Sequence, residues 1–141
     1  AANFWIIEGV AMLMETLREE NDFLVLGGWD DQRIQAARYR LLEDNFYVPL
    51  AEFCTYGMEK LQSDPRIATL YSQAAGLTHF LVFFDGGRYR DALIEYLKAV
   101  YSGRDDPGTL ARLTQTPYAE LDRQYRTYMQ SRLEPAHKIK P

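Results

Sequence analysis

From Tyr89 to Tyr101 apolar side chains return at the spacing of a helix: Tyr89, Ala92, Leu93, Tyr96, Leu97, Val100 and Tyr101, with Gly103 after them. A period near 3.6 gathers these positions into one stripe, whereas a strand would scatter them over two faces. The spacing recurs at Ile34, Ala37, Leu41 and Leu42 behind an Asp30-Asp31 cap signal, and at Tyr118, Leu121, Tyr125, Tyr128 and Met129 behind Thr116-Pro117. Residues 3–18 are apolar on nearly every face and predict a buried helix. Leu50 to Leu61 predicts a short helix. Ser63 or Asp64, with Pro65 at the first position, starts another that runs to Phe84 and stops at Asp85-Gly86-Gly87. Asp106-Pro107 opens a short helix through Leu110 and Leu113, and Phe23–Leu26 before Gly27-Gly28 reads as a short extended piece. The expectation is a mainly α fold: a single compact bundle of six or seven helices with at most one minor β-hairpin.

Size and charge narrow the classes. A chain of 141 residues scales to about 7,500 Å² of folded surface, enough for one real core and too little for two. The division expected is a helical domain over 1–132 and a flexible tail over 133–141, because Glu134 to Pro141 holds two prolines, two lysines and no periodicity. A net charge of −4 provides no basic field for nucleic acid. One cysteine, Cys54, excludes an internal disulfide framework and a Cys-rich zinc module. No apolar run reaches the roughly 18 residues of a membrane span, so none is expected. The opening Ala-Ala-Asn-Phe-Trp has neither an initiator Met nor a basic signal region, and reads as a cut inside a larger protein, which leaves the compartment undetermined.

Glu8 is the first chemically informative residue. Its helical neighbours at three and four residues are Phe4, Trp5, Ala11 and Met12, none of them cationic. Such a carboxylate either faces water or is compensated by a cation or a metal. Gly9 costs roughly 1 kcal/mol relative to Ala inside a helix, which makes sense where a backbone or ligand comes close. The string Phe4-Trp5-Ile6-Ile7-Glu8-Gly9-Val10-Ala11 resembles the W-x-x-E-G-x-A segment of gluzincin zinc metallopeptidases. That resemblance implies that Glu8 is the third zinc ligand, on a helix following an H-E-x-x-H helix that supplies two His ligands and the general-base Glu.

Tyr71 extends the resemblance. Leu70-Tyr71-Ser72-Gln73-Ala74-Ala75 is similar to the Y-x-K-G-A segment of aminopeptidase-N-like gluzincins, which implies an oxyanion-stabilising role for the Tyr71 hydroxyl. Gln73 and Ala74 stand where Lys and Gly are usual, and the alternative for Tyr71 is a core ring with its hydroxyl at the rim. The pattern from Tyr71 through His79-Phe80-Leu81 to Tyr128 resembles the C-terminal half of a peptidase-MA-like bacterial branch, mostly at packing residues, so the resemblance covers about residues 3–130. His79 sits among Phe80, Leu81, Phe83 and Phe84 and reads as a satisfied core histidine or a substrate-side group. Cys54 reads as a small buried residue, Arg33, Arg38 and Arg40 with Asp30 and Asp31 as a solvated face, and Gly27-Gly28 and Gly86-Gly87 as turns.

His79 and His137 are the only histidines, and neither belongs to H-E-x-x-H or its inverse. One carboxylate does not hold a catalytic zinc. The chain by itself is therefore expected to be inactive: either zinc, the N-terminal catalytic half and a peptide or protein substrate belong to a longer parent, which the abrupt start favours, or the chain is a truncated, inactive relative. The alternative from another class is a helical protein-interaction scaffold, because Gly87 to Val100 resembles the second half of a tetratricopeptide unit; no similar glycine-led helix begins 34 residues away at Phe53 or Leu121. A structural cap or dimerisation domain is a third.

Overall fold

The computed structural model describes residues 1–29, 31–131 and, as backbone, 137–139. The chain is mainly α. Its elements are α1 (Phe4–Met14), β1 (Arg18–Glu20), β2 (Phe23–Leu26), α2 (Gln32–Leu42), α3 (Leu50–Phe53), α4 (Met58–Ser63), α5 (Ile67–Phe83), α6 (Arg90–Tyr101), α7 (Thr109–Thr114), α8 (Tyr118–Gln130) and β3 (His137–Ile139). A single 3₁₀ turn, Phe84–Gly86, follows α5. The surface exposed is 7796 Å², close to the expectation from length.

Helix α5 is the hub. It is buried from Gln73 through Leu81, and α1 and α2 make the broadest packings against it, with α4, α6 and α8 completing the enclosure. Its 20-residue stretch Ile67–Gly86, of mean hydropathy 1.3, is long and apolar enough to cross a membrane, contrary to the expectation from the sequence. In this fold Leu70, Ala74, Ala75, Leu77, Phe80 and Leu81 of that stretch are buried in the core. Gly76 lets the helices close in: a Cβ there would fall on the Tyr125 hydroxyl and within 2.8 Å of both Ala37 Cβ and Met129 Cε. The anticipated stripes are buried at Ile34, Ala37 and Leu41, at Leu93 and Tyr96, and at Leu121, Tyr125, Tyr128 and Met129. Asp31 caps α2 by accepting from the Arg33 and Ile34 N–H groups; Asp30 lies outside the described residues.

Three local expectations change. Residues 50–61 are not one helix: α3 stops at Phe53, and the turn to Met58 gives the Cys54 carbonyl to the Asn3 N–H at 3.0 Å and the Tyr56 carbonyl to the Phe4 N–H at 3.1 Å. The N–H groups of Asn3 and Phe4, which have no partner within the helix they open, are thus satisfied by another segment. Pro65 precedes α5 rather than starting it. Asp64 accepts from the Arg66 N–H at 2.7 Å and so closes a turn there. The first helix ends at Met14 because the chain turns into β1, which pairs antiparallel with β2 across Asn21 and Asp22, both at positive φ.

The sheet has a third strand. His137–Ile139, within the stretch expected to be a flexible tail, pairs antiparallel with β2, Leu24 opposite Ile139 and Leu26 opposite His137. Residues 132–136 and 140–141, the rest of that stretch with the last domain residue, lie outside the described residues.

Asn3 fastens the N-terminus. It is fully buried at φ 57°, accepts from the Tyr96 hydroxyl at 2.5 Å, and donates to the Asp105 carboxylate at 2.7 Å and the Asp106 carbonyl at 2.9 Å. Standing at the N-cap of α1, it uses its side chain to tie α1 to α6 and the α6–α7 loop instead of capping.

Candidate functional site

The seam between α1 and α5 carries the two residues singled out by the resemblance. Gly9 of α1 lies against α5 so closely that a Cβ would fall on the Thr78 hydroxyl and within 2.8 Å of the Ala74 carbonyl oxygen. Thr78 turns its hydroxyl back to donate to that carbonyl at 2.8 Å, which keeps the seam polar groups paired. Trp5, one turn earlier, is fully buried, stacked on Phe53 at 5.7 Å and tilted against Tyr96 at 6.1 Å. These anchors fix the rotation of α1 and leave Glu8 at the edge of its buried face. Glu8 is half-buried and makes no hydrogen bond or ion pair among the described residues.

Tyr71 stands on α5 one turn before Ala74, the residue that touches Gly9. It is half-buried and lines a cleft of about 450 Å³ together with Arg33, Gln62, Ile67, Ala68 and Ser72. The cleft opens between α2, α4 and α5, and Glu8 is not among its lining residues. The structure therefore sets Glu8 and Tyr71 on two helices in direct contact and does not bring them into one cavity. Arg33, read as part of a solvated face, stands on the rim of this cleft, with its guanidinium 3.7 Å from Glu15. Nothing in the sequence marks Arg33 and Gln62 as neighbours of Tyr71, because each comes from a different helix.

His79 is buried, and both ring nitrogens are engaged. Nε2 lies 2.8 Å from the Gly27 carbonyl, which can only accept, so the ring proton is on Nε2. Nδ1 then accepts from the Tyr128 hydroxyl at 2.5 Å. Trp29, Phe83 and Tyr128 surround the ring at 5.5, 4.6 and 5.8 Å. This is a histidine that ties β2's exit to α5 and α8. Gln73, the departure from the Y-x-K-G-A pattern, is also buried: its Oε1 accepts from the Val48 N–H and its Nε2 donates to the Val48 carbonyl. Cys54 is fully buried, its Sγ 3.8 Å from the Tyr96 hydroxyl, and burial pushes the thiol pKa up, which suppresses the nucleophilic thiolate.

Among the described residues no group of three or more His, Cys, Asp or Glu side chains comes together to hold a metal ion. Glu8 offers one carboxylate ligand where a catalytic zinc requires about three protein ligands. These residues alone do not fit the metal that the resemblance implies. No family model, curated protein or solved structure matches this chain.

Proposed function

We propose that this chain is the C-terminal helical part of a gluzincin-like metallopeptidase, in which Glu8 is the carboxylate ligand to a zinc whose other ligands stand on further polypeptide. Tyr71 lies on the substrate side. The chain supplies one wall of the cleft and has no peptidase activity by itself.

The carrying observation is the state of Glu8: a half-buried carboxylate, unpartnered among the described residues, held on a helix clamped against the helix of Tyr71. A carboxylate part-way out of water loses solvation and regains it only from a cation or a hydrogen-bond donor. The enclosure of α5 by α1, α2 and α8 suits one wall of a larger single-core enzyme better than a row of stacked helix pairs.

The test is made on the natural polypeptide that contains these residues. Its sequence before Ala1 should carry H-E-x-x-H, and the purified protein should hold zinc near one equivalent by mass spectrometry. Glu8→Ala should lose that zinc and the peptidase activity while its circular dichroism stays the same. Unchanged zinc content in Glu8→Ala, or no upstream motif, refutes the assignment.

A further inference from the structure

We propose that the cleft between α2, α4 and α5 is a binding site for a small organic acid, with the carboxylate at Arg33 and the apolar body against Ile67 and Ala68. The inference needs neither zinc nor hydrolysis nor any residue outside this chain, so it stands apart from the peptidase reading.

Volume and lining together define the ligand. About 450 Å³ falls within the range of small-molecule pockets. Ile67, Ala68 and the ring of Tyr71 form an apolar floor. The polar side chains among the lining residues are Arg33, Gln62, Tyr71 and Ser72, and the first three carry donors with no hydrogen-bond acceptor taken among the described residues. Ser72 contributes none, because its hydroxyl donates back to the Ala68 carbonyl at 3.2 Å. No lining residue is a carboxylate, so the only fixed charge in the wall is positive. Donors and one cation over an apolar floor complement an anion with an apolar body and disfavour an amine.

The donors are also free to turn to a ligand. The Gln62 amide and the Tyr71 hydroxyl make no hydrogen bond among the described residues. Arg33 faces Glu15 at 3.7 Å, longer than a hydrogen bond, with both side chains about half exposed or more, so water screens the pair. Its planar fork can take a carboxylate through two parallel N–H donors, a geometry that a lysine would not offer. The lining residues of α5 run only from Ile67 to Ser72, about 7–8 Å of helix. That length suits a single aryl or alkyl acid rather than an extended peptide.

The experiment is a titration of the ¹⁵N-labelled chain with 4-phenylbutyrate, followed at the Gln62 side-chain amide and the Arg33 Nε–H. 4-Phenylbutanol and 4-phenylbutylamine are the uncharged and cationic controls. The acid should give saturable shifts at both groups, and the controls should bind at least about tenfold more weakly. Arg33→Gln should weaken the acid by about tenfold or more. Ala68→Trp, at an exposed position, should abolish binding with the circular dichroism unchanged. Gly-Gly-Phe with a free C-terminus should bind more weakly than the acid. Equal affinity for the three probes, unchanged affinity in Arg33→Gln or Ala68→Trp, shifts that do not saturate, or tighter binding of the peptide would each overturn the proposal.

Discussion

The side-chain amide of Gln73 pairs with both backbone groups of Val48: the Val48 N–H donates to Oε1 at 2.9 Å, and Nε2 donates to the Val48 carbonyl at 2.7 Å. All of these atoms are buried. The pair works like one rung of a sheet made by a side chain, and it holds the segment before α3 against α5. Gln73→Leu should therefore lose about 2–5 kcal/mol of stability, since it strands a buried donor and a buried acceptor. Gln73→Lys, which restores the residue usual in the Y-x-K-G-A pattern, should do no better: an ammonium leaves the Val48 N–H unpaired and buries a charge. Urea denaturation of the two variants measures both losses.

Gly9→Ala sets propensity against packing. Helix propensity alone favours the variant by roughly 1 kcal/mol. A Cβ at that position, however, falls on the Thr78 hydroxyl and 2.8 Å from the Ala74 carbonyl, and a backbone atom cannot step aside cheaply. Overpacking of about 1–3 kcal/mol should win, so the variant melts at lower temperature. Adding Thr78→Ala should recover only part of the loss, because the Ala74 carbonyl remains. A Gly9→Ala protein more stable than its parent would mean that the seam is looser than described.

His79 gives a prediction about proton position. With Nε2–H donating to Gly27 and Nδ1 accepting from Tyr128, the ring should be the neutral Nε2–H tautomer, visible in long-range ¹H–¹⁵N correlation spectra. Tyr128→Phe removes the donor to Nδ1 and should cost about 1–3 kcal/mol for the acceptor left unpaired in the core. A ring protonated on Nδ1 alone contradicts the arrangement, because the Nε2 lone pair would then face the Gly27 carbonyl oxygen.

Asp122 predicts a pH dependence. Burial pushes its carboxyl pKa up, only partly opposed by hydrogen bonds from the Tyr47 hydroxyl at 2.6 Å and the Leu50 N–H at 3.1 Å. An acid whose folded pKa is raised contributes its full stability below the unfolded value, and that contribution is lost as pH rises through the folded one. Stability should therefore fall on going upward from the ordinary carboxylate range. Asp122→Asn keeps an acceptor for Tyr47 and Leu50 without the charge, so its stability should be flatter over that interval and equal or higher at neutral pH. Chemical denaturation at a series of pH values distinguishes the two profiles.

The stripes of α2, α6 and α8 were legible in the sequence because helical period is a local property. The break inside residues 50–61 was not. It arises because Asn3 and Phe4 take the Cys54 and Tyr56 carbonyls, and these partners lie some fifty residues away in the chain. The extended piece at Phe23–Leu26 was legible before its glycine pair, whereas its pairing with Arg18–Glu20 and with His137–Ile139 depends on which strands meet in space. Glu8 and Tyr71 could be picked out by their neighbours in sequence. The cleft at Tyr71 could not, since Arg33 and Gln62 reach it from other helices.

Residue order alone determined that this chain is helical and which faces turn inward, because period and end signals act within a few turns. Only the tertiary structure decided which polar groups are consumed by the fold and which remain available. Gln73 and His79 are spent on partners 25 and 49–52 residues distant, while Glu8, Gln62 and Tyr71 are left without partners among the described residues. Hydrogen bonding depends on which atoms meet in space, and that is set by how helices pack rather than by what stands beside them in the chain.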